Sequence, residues 1–112
     1  MSLSGPSPFD LTIREDGGDV LIALRGELDV ASAPQLEAAL LPPVEAGRRA
    51  VLDLGQLEFM DSTGVRVLVT AHHAAEEHGG RLTLLRTPEG SPVHRVLEIS
   101  GLDAVLEIVD ER

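Results

Sequence analysis

The residues of this 112-residue chain best suited to chemistry are Asp61-Ser62-Thr63-Gly64. They put a carboxylate, two hydroxyls and a glycine between an apolar run and a helical pattern. The first N–H groups of a helix have no intrahelical partners, so this position accepts an anion, either a capping side chain or a phosphate. On local spacing, the leading interpretation is that Asp61 or Ser62 caps the helix. Two hydrolytic chemistries fail. An aspartic-protease signature has Gly two residues after its Asp, whereas Gly64 lies three after Asp61. A serine-hydrolase elbow needs Gly two residues to either side of its Ser, and around Ser62 those positions are Met60 and Gly64.

Asp53, in the strand-like run Ala50-Val51-Leu52-Asp53-Leu54, raises a receiver-like phospho-aspartate chemistry. Such domains need an acidic pair after their first strand and a late Lys, and there is no Lys anywhere in the chain. Asp53 is better read as a polar residue at a strand end, with the receiver kept as the lesser alternative. The histidines are His72, His73, His78 and His94. His72–Glu76 and His73–Glu77 have the i,i+4 spacing of helix-surface pairs, and His78 suits a helix C-terminus. No His-Glu-x-x-His pattern occurs, so no metal ligand is assigned.

Composition narrows the function classes. Asp and Glu number 19 against 9 cations, all Arg, for a formal net charge of −10. Such a surface repels phosphate backbones and anionic lipid, arguing against nucleic-acid and membrane partners. The absence of Lys removes P-loop and Schiff-base mechanisms; the absence of Cys removes disulfides, thiol nucleophiles and zinc-thiolate sites. With aromatics at 2% (Phe9 and Phe59), the core must be aliphatic and there is no platform for stacking bases. No catalytic residue or cofactor is assigned, and an enzyme is not expected. The length suits one domain. Residues 1–8 are rich in Ser, Gly and Pro and read as a flexible segment without an apolar leader, with Met1-Ser2-Leu3 resembling an expression remnant. A cytoplasmic location is expected.

The elements that must position the tetrad follow from pattern. Strands are predicted at Phe9–Ile13 and Val20–Arg25, joined as a hairpin through Glu15-Asp16-Gly17-Gly18, with Gly26-Glu27-Leu28-Asp29 breaking the second. Ser32 and Gln35 form a capping-box pattern for a helix expected to end or kink near Leu41, before Pro42-Pro43, with another turn possible before Gly47. Ala50–Leu54 is the candidate central strand, with Gly55–Met60 leading out of it. Val65, Leu68, Val69 and His72 mark the next helix, closed by Gly79. A strand at Arg81–Arg86, a helix capped by Ser91-Pro92 with the stripe Val93, Val96 and Leu97 and stopped at Gly101, and a terminal turn or strand over Leu102–Val109 complete the order. A β-pair followed by alternating helices and strands predicts an α/β domain, a mixed sheet with helices packed on it.

Taken in order, Gly26-Glu27-Leu28-Asp29, Ala33-Pro34-Gln35-Leu36, Val51-Leu52-Asp53-Leu54, Phe59-Met60-Asp61-Ser62-Thr63-Gly64-Val65, Gly80-Arg81-Leu82 and Ile99-Ser100-Gly101-Leu102 resemble the STAS domain family, and within it bacterial anti-sigma factor antagonists. The likeness runs over residues 9–110. It implies a single domain with a four- to five-stranded mixed sheet and helices mainly on one face. It also implies a partner, an anti-sigma factor serine kinase with a histidine-kinase-like fold, whose capture releases a sigma factor. That partner uses its own bound ATP to phosphorylate the first Ser of the Asp-Ser-Ser/Thr-Gly motif, and a phosphatase reverses the step. The acceptor would be Ser62, with Thr63 secondary, and the partner-binding residues Asp29, Asp61, Ser62, Thr63 and Gly64. The chain departs from the family at Pro42-Pro43 and in having Thr63 for Ser. A STAS subunit of a transporter or stress-signalling complex is the runner-up.

Overall fold

A computed structural model describes residues 9–111; the flexible segment expected over 1–8 lies outside the described residues. The order is β1 (Asp10–Asp16), β2 (Asp19–Leu28), α1 (Ala33–Glu45), β3 (Arg49–Met60), α2 (Ser62–His78), β4 (Arg81–Leu85), α3 (Pro92–Ser100), α4 (Leu102–Val105) and β5 (Glu107–Val109). The five strands lie in sequence order in one mixed sheet, β1 antiparallel to β2 and the others parallel. The mixed α/β architecture expected from the sequence is present, with five strands.

Alternation along β2 shows how the sheet is covered. Val20, Ile22, Leu24 and Leu28 are buried, whereas Leu21, Ala23 and Arg25 on the other face are partly or fully exposed. In register with the buried set lie Ala50 and Leu52 of β3 and Leu82 and Leu84 of β4, so the core forms on that face. Leu36, Leu40 and Val44 of α1, Leu68 and Ala71 of α2, and Val93 and Leu97 of α3 complete it. On the other face, Thr83 is fully buried beneath charged side chains: its Oγ1 donates to Glu107 at 2.6 Å and accepts from Arg49 at 3.2 Å. Arg49 also reaches Asp19 and Arg81 reaches Glu107, linking the outer parallel strands. The Thr83 hydroxyl and, secondarily, the Arg81 and Arg49 charges hold the Glu107 carboxyl below its usual pKa against the opposing effect of burial.

Several boundaries differ from those expected. The β2 strand does not break at Gly26. Gly26 takes φ +91°, and the ladder to β3 shifts register on either side of it, so a bulge absorbs the irregularity and pairing continues to Leu28–Met60. Likewise Gly55–Met60 is strand, not exit. Helix α1 runs through Pro42-Pro43 to Glu45. The pair forgoes two N–H donors in the closing turns, and burial of Leu40, Pro43 and Val44 offsets the loss. The Ser32 capping box does not form: Ser32 Oγ accepts from Asp29 N at 2.9 Å and donates to Glu27 O at 2.8 Å, closing the preceding turn. The buried face of α2 is Gly64, Val67, Leu68, Ala71, Ala74 and Ala75, rotated from the expected stripe, with Val65, Val69 and His72 half-buried beside it. Ser91 caps α3 through His94 N, Gly79 takes the left-handed cap expected of it, and Gly101 ends α3 as expected, also in the left-handed conformation.

Two turns meet closely at the end of the sheet remote from Asp61. A Cβ at Gly80 would lie 2.5 Å from the Val44 carbonyl oxygen and 2.8 Å from that of Arg48. At Gly79 a Cβ would meet nothing, although φ is +75°. Gly80→Ala is therefore expected to cost roughly 2–3 kcal/mol by overpacking against backbone, and Gly79→Ala about 1 kcal/mol of left-handed strain. Urea denaturation of the two variants checks this; Gly79→Ala as the costlier change would contradict it.

Candidate functional site

Strands β2 and β3 end side by side, Glu27 beside Phe59 and Leu28 beside Met60. One further bond, Asp61 N to Leu28 O at 3.2 Å, carries the ladder to the helix start. Helix α2 then begins at once, because Asp61 leaves the strand in extended conformation and caps it. Asp61 Oδ1 accepts from Thr63 N at 2.9 Å and from Thr63 Oγ1. The Thr63 hydroxyl, more than the backbone N–H groups of the first turn, holds the Asp61 carboxyl below its usual pKa against a smaller opposing effect of burial. The sequence left Asp61 and Ser62 both open as the cap; the structure gives the role to Asp61.

Ser62 is consequently released. It is exposed, and among the described residues its hydroxyl has no hydrogen-bond partner, whereas Thr63 is half-buried with its hydroxyl engaged by Asp61. Gly64 is buried against the strand ends: a Cβ there would lie 2.6 Å from Met60 Cγ and 2.8 Å from a Leu28 methyl. Its role is close approach, which draws the first turn of α2 onto β2 and β3. Asp29 sits in the loop after β2, and its Oδ1 accepts from Ala31 N at 3.0 Å and from Ser32 Oγ at 3.2 Å. Asp29 and Asp61 thus stand at the ends of paired strands, each shaping its own turn, and bring Ser62, Thr63 and Gly64 to the same end of the sheet.

Sequence reasoning missed the apolar rim. Val30, one residue beyond Asp29, is 73% exposed, and Phe59, two before Asp61, is 43% exposed. Their signal was available: a valine inside a turn, and one of only two aromatics in the chain. Arg66, also exposed, lies one helical turn beyond Ser62 on the same face.

The remaining sequence candidates lie elsewhere. The Oδ1 atom of Asp53 accepts from Gly55 N at 2.8 Å, and the residue lines a shallow cavity of about 620 Å³ on the sheet face away from the core, with Leu21, Ala23, Val51 and Leu85. His72 and His73 both approach Glu76, at 3.5 and 3.7 Å; the expected His73–Glu77 pair does not form. His78 Nδ1 lies 2.9 Å from Ala74 O. Among the described residues no group of three or more His, Asp or Glu side chains is placed to hold a metal ion, and no helix is long and apolar enough to cross a membrane.

A family profile described as "Mlab, STAS domain" matches residues 11–109. The anti-sigma-B factor antagonist of Bacillus subtilis is 31% identical over 100 residues, covering 89% of this chain and 90% of that protein. Among solved structures, the anti-sigma factor antagonist SpoIIAA in its unphosphorylated form is 25% identical, with a TM-score of 0.74 over 91% of this chain and 90% of that one. The Bacillus cell fate determinant SpoIIAA in its phosphorylated form is 28% identical, with a TM-score of 0.68 over 91% of this chain and 93% of that one.

The Asp61–Thr63 contact gives a test of this geometry. Thr63→Val is expected to move the Asp61 carboxyl pKa up toward about 3.9, the ordinary value, in a carboxyl-detected NMR titration. Asp61→Ala is expected to cost about 1 kcal/mol at neutral pH. Because the folded pKa is depressed, the charge-dependent part of this cap is present above the ordinary carboxyl value and is lost as pH falls through the lower folded one. A stability gap between wild type and Asp61→Ala that widened on acidification would contradict the assignment.

Proposed function

The chain belongs to the STAS domain family, and from that premise we propose that it is an anti-sigma factor antagonist switched at Ser62. In this reading the unmodified protein binds an anti-sigma factor serine kinase and frees a sigma factor. Phosphorylation of Ser62, with ATP held by the partner, ends the binding, and a phosphoserine phosphatase restores it. The chain itself supplies an acceptor and a docking surface and no catalytic group.

One observation carries the proposal: Ser62 is the exposed, unpartnered hydroxyl at the mouth of α2, held between a buried Gly64 and a capping Asp61. Thr63, the secondary candidate, must give up its bond to Asp61 to react. Val30 and Phe59, exposed near the ends of β2 and β3, add apolar area that a partner could cover at this end of the sheet. The names of the relatives support the same assignment, as does the pairing of phosphorylated and unphosphorylated forms among the solved neighbours.

Magnitudes give the switch its direction. A phosphate adds about −1.5 to −2 charges at pH 7. In the free protein it lies at a helix N-terminus, an interaction of roughly 0.3–1 kcal/mol, with Arg66 one turn away. In a dry interface an unpaired charge costs roughly 2–5 kcal/mol. The interface cost exceeds the gain, so modification weakens binding without unfolding the domain. At about 1.4 kcal/mol per tenfold, the loss is some 30-fold to several thousand-fold.

Incubation with ATP and a cognate anti-sigma kinase, followed by peptide mapping, is expected to locate phosphate on Ser62 and to find none in a Ser62→Ala variant. That variant is expected to bind the kinase constitutively, and Ser62→Asp to bind at least about tenfold more weakly than wild type. Acid-labile phosphate on Asp53, or undiminished binding by Ser62→Asp, would contradict the proposal.

A further inference from the structure

We propose that two copies of this chain associate through their β1 edges, antiparallel and centred on Thr12, to make one continuous ten-stranded sheet. The β1 strand is the long edge of the sheet; β5, at the other edge, has three residues. The free edge of β1 is held firmly in place. Arg48 donates to Glu15 at 3.0 Å and to Gly18 O at 3.1 Å, fastening the hairpin tip to the start of β3.

Hairpin geometry decides which backbone groups are free. Gly17 and Gly18 both have positive φ, 61° and 92°, and Asp16 pairs with Asp19 across them. This is the two-residue I′ turn, whose flanking pair is hydrogen-bonded. Asp10, Thr12, Arg14 and Asp16 therefore bond to β2, while Leu11, Ile13 and Glu15 direct N–H and C=O outward. Side chains divide the same way. Leu11 and Ile13 lie on the core side of the sheet, in register with Leu24 and Ile22; Leu11 is half-buried against the edge of the core and Ile13 is 54% exposed. Asp10, Thr12 and Arg14 lie on the other face.

Charge selects the register. Centred on Thr12, an antiparallel pair sets Asp10 opposite the second copy's Arg14, twice, and Leu11 opposite its Ile13, twice. Neither Asp10 nor Arg14 has another ion-pair partner among the described residues. The Leu11–Ile13 positions become the hydrogen-bonded pairs and the Asp10–Arg14 positions the closer, non-hydrogen-bonded ones, where opposite charges gain most. Centring on Ile13 would oppose Asp10 to Asp16, and centring on Arg14 would oppose arginine to arginine. The net charge of −10 per chain opposes association at long range, but at physiological salt the Debye length of about 8 Å confines that repulsion while the contact pairs persist. A single edge pairing buries less than the roughly 1,200 Å² of a stable interface, so the dimer is a weak and reversible one.

Sedimentation velocity of the full chain over a concentration series tests this. Wild type is expected to self-associate. Asp10→Arg and Arg14→Asp are each expected to weaken that association about tenfold or more, and the double swap to restore it to within about threefold of wild type. Both positions are exposed, and far-UV circular dichroism confirms that each variant keeps its sheet. The absence of Cys offers a second arm. Thr12→Cys places the two thiols on the axis, at a non-hydrogen-bonded pair suited to a disulfide, and is expected to oxidise to a covalent dimer faster than Ile13→Cys. A monomer at every concentration, a double swap no better than the single ones, or equal cross-linking at positions 12 and 13 would overturn the proposal.

Discussion

The structure turns on a close approach. Helix α2 begins with no intervening loop at the ends of β2 and β3, and it can do so only because position 64 carries no side chain between Met60 and Leu28. That contact fixes the height of the helix above the sheet and makes Asp61 both the last strand-like residue and the helix cap. With Asp61 bound to Thr63 and Gly64 pressed inward, Ser62 is the first-turn residue left facing outward. The exposure of the proposed acceptor thus follows from packing, and no mobile loop is needed to present it.

This arrangement also supports the proposal that modification of Ser62 is silent for the fold and decisive for binding. The buried residues of the α2 start, Gly64, Val67 and Leu68, lie on the face of the helix turned to the sheet, whereas Ser62 is exposed. A phosphate on Ser62 therefore perturbs solvent-facing groups, where a helix N-terminus and a nearby arginine tolerate negative charge. On the proposed reading, the charge becomes costly only when a partner covers this end of the sheet and excludes water. The same small side chains that let α2 lie low on the sheet leave Val65 and Val69 half-exposed along the helix.

Much of this was legible from the sequence. The hairpin, the alternation of strands and helices, the left-handed cap at Gly79 and the helix stop at Gly101 were set by local chemistry that tertiary structure kept. Where the reading differed, either the sheet and core carried an element past a local breaker or a competing local hydrogen bond won. Gly26 ends a strand in isolation, but a bulge let the β2–β3 ladder continue. Pro42-Pro43 disfavours a helix in isolation, yet with Pro43 and Val44 buried α1 takes the further turn before Gly47 that the sequence left open. Ser32 carries a capping-box spacing and instead closes its own turn with Asp29 and Glu27. At the site, spacing alone left the cap ambiguous between Asp61 and Ser62. Val30 and Phe59 carried only a weak signal, a valine inside a turn and one of two aromatics, because their exposure depends on which strand ends the fold brings together. The rotated stripe of α2 failed for a related reason: valines look more core-like than alanines, yet the close packing of α2 favoured Gly64, Ala71, Ala74 and Ala75.

The central claim is that charge at one exposed hydroxyl, and not a change of fold, decides whether the domain binds. Isothermal titration of the unmodified and the stoichiometrically Ser62-phosphorylated protein against one cognate anti-sigma kinase tests it most directly, with thermal unfolding of both forms measured alongside. The account expects a loss of affinity of some 30-fold or more on phosphorylation, with the two unfolding midpoints within a few degrees of each other. Equal affinities, or a loss of binding accompanied by collapse of the phosphorylated domain's stability, would contradict it.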